Sequence, residues 1–253
     1  MEDFLSSVLP AADRKISVQT LRTATLLLFT LAAATAGPLI FPAAQAGYGT
    51  MAQSAKYFLF PSVAFLILIV LFSCKSAPVI AKATIWGGLA GSIATVGLEV
   101  VRLAGFRAGY MPGNLPRLMG VLLLDRFALG PSLASDVTGW AYHFWNGASF
   151  GIVYAIVFGT TRRWVGVLYG VGVGLGFLVS PVVISLGVGY FGLQFSPGFP
   201  ATVLAAHIVF GWLLGVFSRR FLAGEGSVLL TEFHVFQAWR TIRQEVDSEK
   251  VLR

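Results

Sequence analysis

Charged residues make up only 11% of this 253-residue chain, cysteine occurs once, at Cys74, and histidine three times. One cysteine excludes an internal disulfide, and no grouping of cysteine and histidine has metal-ligand spacing. A phosphate-binding loop and a paired catalytic carboxylate motif are also absent. Ser149, Ser180 and Ser185 have no accompanying base and orienting group, so nothing in the sequence marks an enzyme. The scarcity of charge excludes a water-soluble fold, because 56% hydrophobic residues and a mean hydropathy of +0.78 leave more apolar surface than such a fold can cover. The net charge of +7 and pI near 9.9 do not point to nucleic acid, since Lys and Arg are spread over helix ends, where attraction to anionic membrane lipids accounts for them.

What the chain does have is apolar runs of membrane-spanning length. Runs of about 20 apolar residues place spans near Leu21 to Phe41, Tyr57 to Cys74, Thr84 to Ala104, Val137 to Thr160, Trp164 to Val188 and Ala201 to Phe221. They are too long and too unalternating for barrel strands, so each must satisfy its backbone amides as a helix. Leu118 to Pro131 is apolar but short, about 21 Å at roughly 1.5 Å per residue, and carries Asp125-Arg126; it reads as a re-entrant or interfacial helix. Beyond the sixth span, Val228, Val235, Trp239, Ile242 and Val246 recur at helical spacing among Glu232, Arg240, Arg243 and Glu245, the pattern of an amphipathic helix on a bilayer or a partner. His234 belongs to that surface. The fold class is therefore an all-α polytopic membrane bundle. It has six transmembrane helices, a short re-entrant or interfacial helix and a C-terminal amphipathic helix. Residues 1–78 form an N-terminal region with two peripheral helices, 79–222 a glycine-rich four-helix bundle, and 223–253 a cytoplasmic tail.

Orientation follows the basic residues beside the spans. Arg14, Lys15, Arg22, Lys75, Lys82, Arg162, Arg163, Arg219 and Arg220 all fall on one side of a six-span chain, which is expected to be cytoplasmic with both termini. Arg102, Arg107, Arg117 and Arg126 fall on the other side, where Glu99, Asp125 and Asp136 are available to pair with them. Ala44-Gln45-Ala46 resembles a signal cleavage site, but the apolar run before it is span-length, and an uncleaved first helix is the expectation.

Glycines lie inside the spans rather than between them. Gly87 and Gly91, Gly147 and Gly151, Gly166, Gly170 and Gly174, and Gly211 and Gly215 repeat every four residues, giving each helix a flat strip for close backbone approach. Two spans add a histidine to the strip, in His143-x-x-x-Gly147-x-x-x-Gly151 and His207-x-x-x-Gly211-x-x-x-Gly215. Both imidazoles should face the bundle at matching depth, roughly 9 to 10 Å from the outer surface. Asn146 shares the face of His143. Glu99 and Arg102, at i and i+3, can pair nearby, and Asp125 and Arg126 could dip to meet them.

An intramembrane polar cluster of Glu99, Arg102, Asp125, Arg126, His143, Asn146 and His207 is therefore expected. It has several readings. One is transport or permeation of a small solute, a proton or a lipid, with Pro181 loosening the fifth span. A second is a redox protein in which His143 and His207 ligate one haem b. A third is a structural or assembly subunit, with a membrane-protein partner or a second copy on its glycine faces. In that case Trp140, Trp145, Trp164, Trp212 and Tyr190 serve as anchors. Against all three stands plain helix packing, in which the polar groups act as glue.

The third span ending in Glu99-Val-Val-Arg102, the linker Gly109-Tyr-Met-Pro-Gly-Asn-Leu-Pro116 and the two His-x-x-x-Gly helices resemble the YagU-like group of small bacterial inner-membrane proteins, over roughly residues 87–220. The resemblance implies a bacterial inner-membrane setting and an association with acid tolerance. It implies no catalytic residue and does not extend to the first two spans.

Overall fold

The computed structural model describes residues 11–231, with side chains from residue 21 onward. All regular structure in this range is helical, and no strand occurs among the described residues. The long helices are α1 (Ala11–Gln45), α2 (Met51–Ser76), α3 (Pro78–Arg107), α5 (Leu133–Phe158), α6 (Arg163–Leu178) and α8 (Gly198–Phe221). Two shorter ones, α4 (Leu115–Leu123) and α7 (Pro181–Ser185), lie between them. Among the described residues, five segments are long and apolar enough to cross a membrane: Leu21–Gln45, Met51–Ser76, Pro78–Arg107, Arg163–Ser185 and Gly198–Phe221. Helix α5 has 26 residues but is not among these five, being diluted by Asp136, His143, Asn146 and several small residues. The amphipathic tail drawn through Val235, Trp239, Ile242 and Val246, with His234, lies outside the described residues.

Local chemistry sets the helix ends. Pro78 at the first position of α3 needs no amide partner there, and Ala77 before it leaves helical geometry at φ −150°, ψ 64°, separating α2 from α3 with almost no loop. Ser132 caps α5 by accepting from the Ser135 amide while Ser135 reaches back to the Ser132 amide, and Gly159 ends the helix at φ 58°. Helix α1 continues through Pro38 and Pro42, as membrane helices can where neighbours compensate the lost hydrogen bonds. Helix α2 contains a π-helical turn at Ala55–Leu59.

The fifth predicted span differs from expectation. Pro181 does not merely loosen a continuous helix; the helix is broken: α6 stops at Leu178, Ser180 is extended at φ −73°, ψ 157°, and Pro181 starts the five-residue α7. The residue before a proline is driven out of the α region, and the Ser180 hydroxyl donates to the Phe177 carbonyl at 2.7 Å, closing the helix end. The segment expected to be re-entrant, Leu118 to Pro131, overlaps α4, which begins three residues earlier at Leu115 and is nine residues long, or about 14 Å at roughly 1.5 Å per residue. It is followed by a 3-10 turn at Phe127–Leu129.

The helices meet through their glycines. A Cβ on Gly91 would strike the Gly147 carbonyl and one on Gly151 the Gly87 carbonyl, so α3 and α5 are in backbone contact. A Cβ on Gly166 would strike the Gly211 carbonyl, one on Gly211 the Gly166 carbonyl, and one on Gly170 the His207 carbonyl, so α6 and α8 form a second such pair. A Cβ on Gly215 would press on the Arg163 carbonyl, and one on Gly174 on the His207 ring. Helix α4 is held against the start of α5 in the same manner, Gly120 opposing the Ser135 carbonyl and Gly139 the Pro116 carbonyl. Helix α8 also packs along α3, where Ala90, Ala94, Leu98, Ala206, Phe210 and Leu214 share a core.

The two N-terminal helices divide. Helix α1 packs on α5, with Gly37 against the Trp145 ring and the Tyr142 hydroxyl donating to the Gly37 carbonyl at 2.7 Å. Helix α2 instead exposes Phe58, Phe60, Leu68, Leu71 and Phe72. One end of the bundle is drawn together by the segment after α8: Glu225 pairs with Lys82 at the start of α3 at 3.1 Å, its carbonyl accepts from Thr160, and Ser227 donates to the Val157 carbonyl near the end of α5. The opposite end holds the end of α3 and the beginnings of α5 and α8.

Candidate functional site

At that opposite end the polar residues gather around a cavity of about 340 Å3. Its walls are apolar for the most part and come from every side: Pro38 and Phe41 of α1, Met119 of α4, Phe150 of α5, Phe177 of α6 and Phe210 of α8. Arg102, His143, Asn146 and His207 also border it, together with Thr95 and Ser180. Four of the seven residues expected to cluster thus face one space, and Glu99 stands directly behind them.

The centre of the cluster is the pair Glu99 and Arg102, each 5% exposed. One turn apart on α3, they meet in a two-pronged ion pair, with Arg102 Nε donating to Glu99 Oε1 and Nη2 to Oε2, both at 2.7 Å. This geometry is the strong form of the interaction, and burial demands it, because an uncompensated charge here would cost several kcal/mol (about 3–5). Arg102 Nη2 also reaches Asn114 Oδ1 at 3.5 Å. The guanidinium carbon lies 6.0 Å from the centre of the Trp140 ring on α5, within cation–π range.

His143 joins the pair across the helix interface, its Nε2 lying 2.8 Å from Glu99 Oε1. The ring N–H is not aimed at that oxygen, so the contact is a close approach rather than a linear hydrogen bond. His207 is held differently. Its Nδ1 lies 2.8 Å from the Val203 carbonyl, which can only accept, so the proton sits on Nδ1 and Nε2 of the neutral ring keeps its lone pair. Three buried polar atoms of residues that border the cavity make no hydrogen bond within the described residues: Arg102 Nη1, His143 Nε2 and Asn146 Oδ1.

Asp125 and Arg126 lie elsewhere. Asp125 takes a left-handed conformation at φ 51° in the turn after α4 and is exposed, while Arg126 is half-buried with its Nε unpartnered. Neither bonds to Glu99, Arg102 or His143, so the dip of this turn toward the cluster does not occur. The outer arginines are partly neutralised nonetheless, since Arg117 pairs with Asp136 at 3.1 Å.

For haem, both histidines border the same cavity, as bis-histidine ligation requires, and His207 Nε2 is free. His143 Nε2, however, is turned to Glu99 and would have to leave that carboxylate to act as an axial ligand. The sequence reading missed Asn114 and the part of α1 that closes the cavity. Asn114 was within view as part of the Gly109 to Pro116 linker; α1, rich in Leu and Ala, carried no signal of its role.

Comparison of the chain with protein families, with curated proteins and with solved structures gives no match.

Proposed function

We propose that this protein carries a small solute across a membrane through the cavity between α1, α3, α5, α6 and α8. The observation that supports the reading is the ion pair Glu99–Arg102 with His143 beside it, placed inside a bundle of membrane-spanning helices and beside a cavity rather than sealed in a close-packed core. Ionisable groups at such depth are costly, and lining a pathway is their usual function.

The reading takes α5 as a sixth span, antiparallel to α3 and in contact with it along the glycines. The end carrying Lys82, Arg162, Arg163, Arg219 and Arg220 then faces the cytoplasm with both termini, and the cavity lies in the outer half of the bundle. A bacterial inner membrane is the setting suggested by the YagU-like resemblance. Lipid covers the exposed apolar residues of α2. The break at Ser180-Pro181 puts a loose joint in the wall beside the cavity, suited to opening and closing it.

Flux into vesicles reconstituted with the purified protein tests the proposal, using light scattering for a panel of small polar solutes and an entrapped pH dye for protons. Flux above that of protein-free vesicles is expected, with His143→Ala and Glu99→Gln abolishing it in protein of verified fold. No flux for any probe, or full flux in both variants, would overturn it.

A further inference from the structure

Two exposed residues mark an opening of the cavity on the flank of the bundle. Of the residues that border the cavity, only Leu39 of α1 and Gly176 of α6 are exposed, Leu39 by 59%. The half-buried Pro42, three residues after Leu39, and Val173, three before Gly176, continue the rim along the same helix faces. The rim holds free space. A Cβ on Gly176 would meet nothing within 4 Å, whereas one on Gly174 presses on the His207 ring. Helix α1 is held to the bundle by α5 and α7, and α6 by α8, so the two sides of the opening are carried by different partners.

The medium at this opening is hydrocarbon. Every rim residue is apolar, and the rim lies within the spanning segments Leu21–Gln45 and Arg163–Ser185. Leu39 is six residues short of the end of α1 at Gln45, roughly 9 Å at 1.5 Å per residue. Beyond the rim the walls include Phe41, Met119, Phe150 and Phe177. The unpartnered Arg102 Nη1, His143 Nε2 and Asn146 Oδ1 have no accessible surface, so they make no demand on an occupant. Acyl chains are what the bilayer presents at such a rim. A chain that moves in from lipid gains no hydrophobic energy; it gains dispersion contact with walls that otherwise face a void. The volume of about 340 Å3, near the lower end of the roughly 300–1,000 Å3 of small-molecule sites, suits one chain and not a whole lipid.

We infer that the cavity is a side pocket for one acyl chain of a membrane lipid, which enters between Leu39 and Gly176 while its head group stays at the bilayer surface. The end of the chain lies against Phe41, Met119 and Phe177. This goes beyond the transport reading. The opening lies apart from the route along the bundle axis that transport requires, and a chain in the cavity excludes a solute from the same space.

The test is photolabelling of the full-length protein in phosphatidylcholine vesicles that contain phosphatidylcholine with a diazirine at the end of one acyl chain, with adducts mapped by mass spectrometry. Adducts are expected at Phe41 and Met119, which are buried and border the cavity. Gly176→Trp, at a position where a Cβ meets nothing, should block the rim and abolish them, while adducts at the exposed Leu71 and Phe72 of α2 persist. Leu39→Trp, on the other side of the rim, is the second blocking variant. No adduct at Phe41 or Met119 in folded protein, adducts unchanged in both variants, or equal labelling of these two residues by a lipid with its diazirine in the head group would overturn the inference. Labelling is read without solute or gradient, so adducts without flux would refute transport alone, and flux without adducts would refute the acyl-chain pocket alone.

Discussion

At the scale of single residues, the Glu99–Arg102 pair makes the bundle dependent on its own polar cluster. Arg102→Ala leaves a carboxylate buried with only His143 beside it, and the expected loss is about 3–5 kcal/mol. The double variant Glu99→Leu, Arg102→Met removes both charges and should regain most of that stability, because apolar residues of similar volume often replace a buried ion pair at little cost. Thermal unfolding in detergent compares the two, and a double variant no more stable than Arg102→Ala would contradict the pairing. The partnership within α3 was legible from the i, i+3 spacing alone. Its extension to His143 was not, since which turn of α5 lies beside Glu99 depends on how two helices register, and neither sequence encodes that separately. Asp125 misled for a related reason: a left-handed turn at one residue redirects the segment, and nothing in Leu-Asp-Arg-Phe announces it.

Among elements, glycine spacing was the most readable signal in the chain. A strip of glycines every four residues can serve one purpose in a helix, and the pairs α3 with α5 and α6 with α8 use it. Helix α6 contains its own control. Gly170 faces the His207 carbonyl, whereas Gly172 has nothing within 4 Å of where a Cβ would lie. Gly170→Val should destabilise the bundle by about 1–3 kcal/mol or more through overpacking, while Gly172→Ala should be neutral or stabilising by up to about 1 kcal/mol from helix propensity. Thermal unfolding of the two variants checks this, and equal effects would argue against backbone contact. The Pro181 break was only half legible. Proline signals an interruption, but whether a helix bends or ends there depends on its neighbours, and here the Ser180 hydroxyl and the short α7 complete the stop.

For the whole molecule, composition alone established a multi-pass, all-helical membrane protein, and the five apolar spans agree with it. The enclosure was beyond sequence. It needs α1 from one end of the chain and α8 from the other to close around the same space, and helix-to-helix neighbourhood carries no period that one helix can display. The central claim is that this space is a working, solvent-reached site rather than dry packing around polar glue. Chemical access to Asn146 tests it most directly. With the exposed Cys74 replaced by serine, Asn146→Cys in membranes should react with a small water-soluble methanethiosulfonate. Ser149→Cys, at a fully buried position absent from the cavity wall, should stay unmodified until the protein unfolds. Modification at 146 and protection at 149 is the predicted result; an unreactive Asn146→Cys in folded protein that labels fully on unfolding would contradict the account.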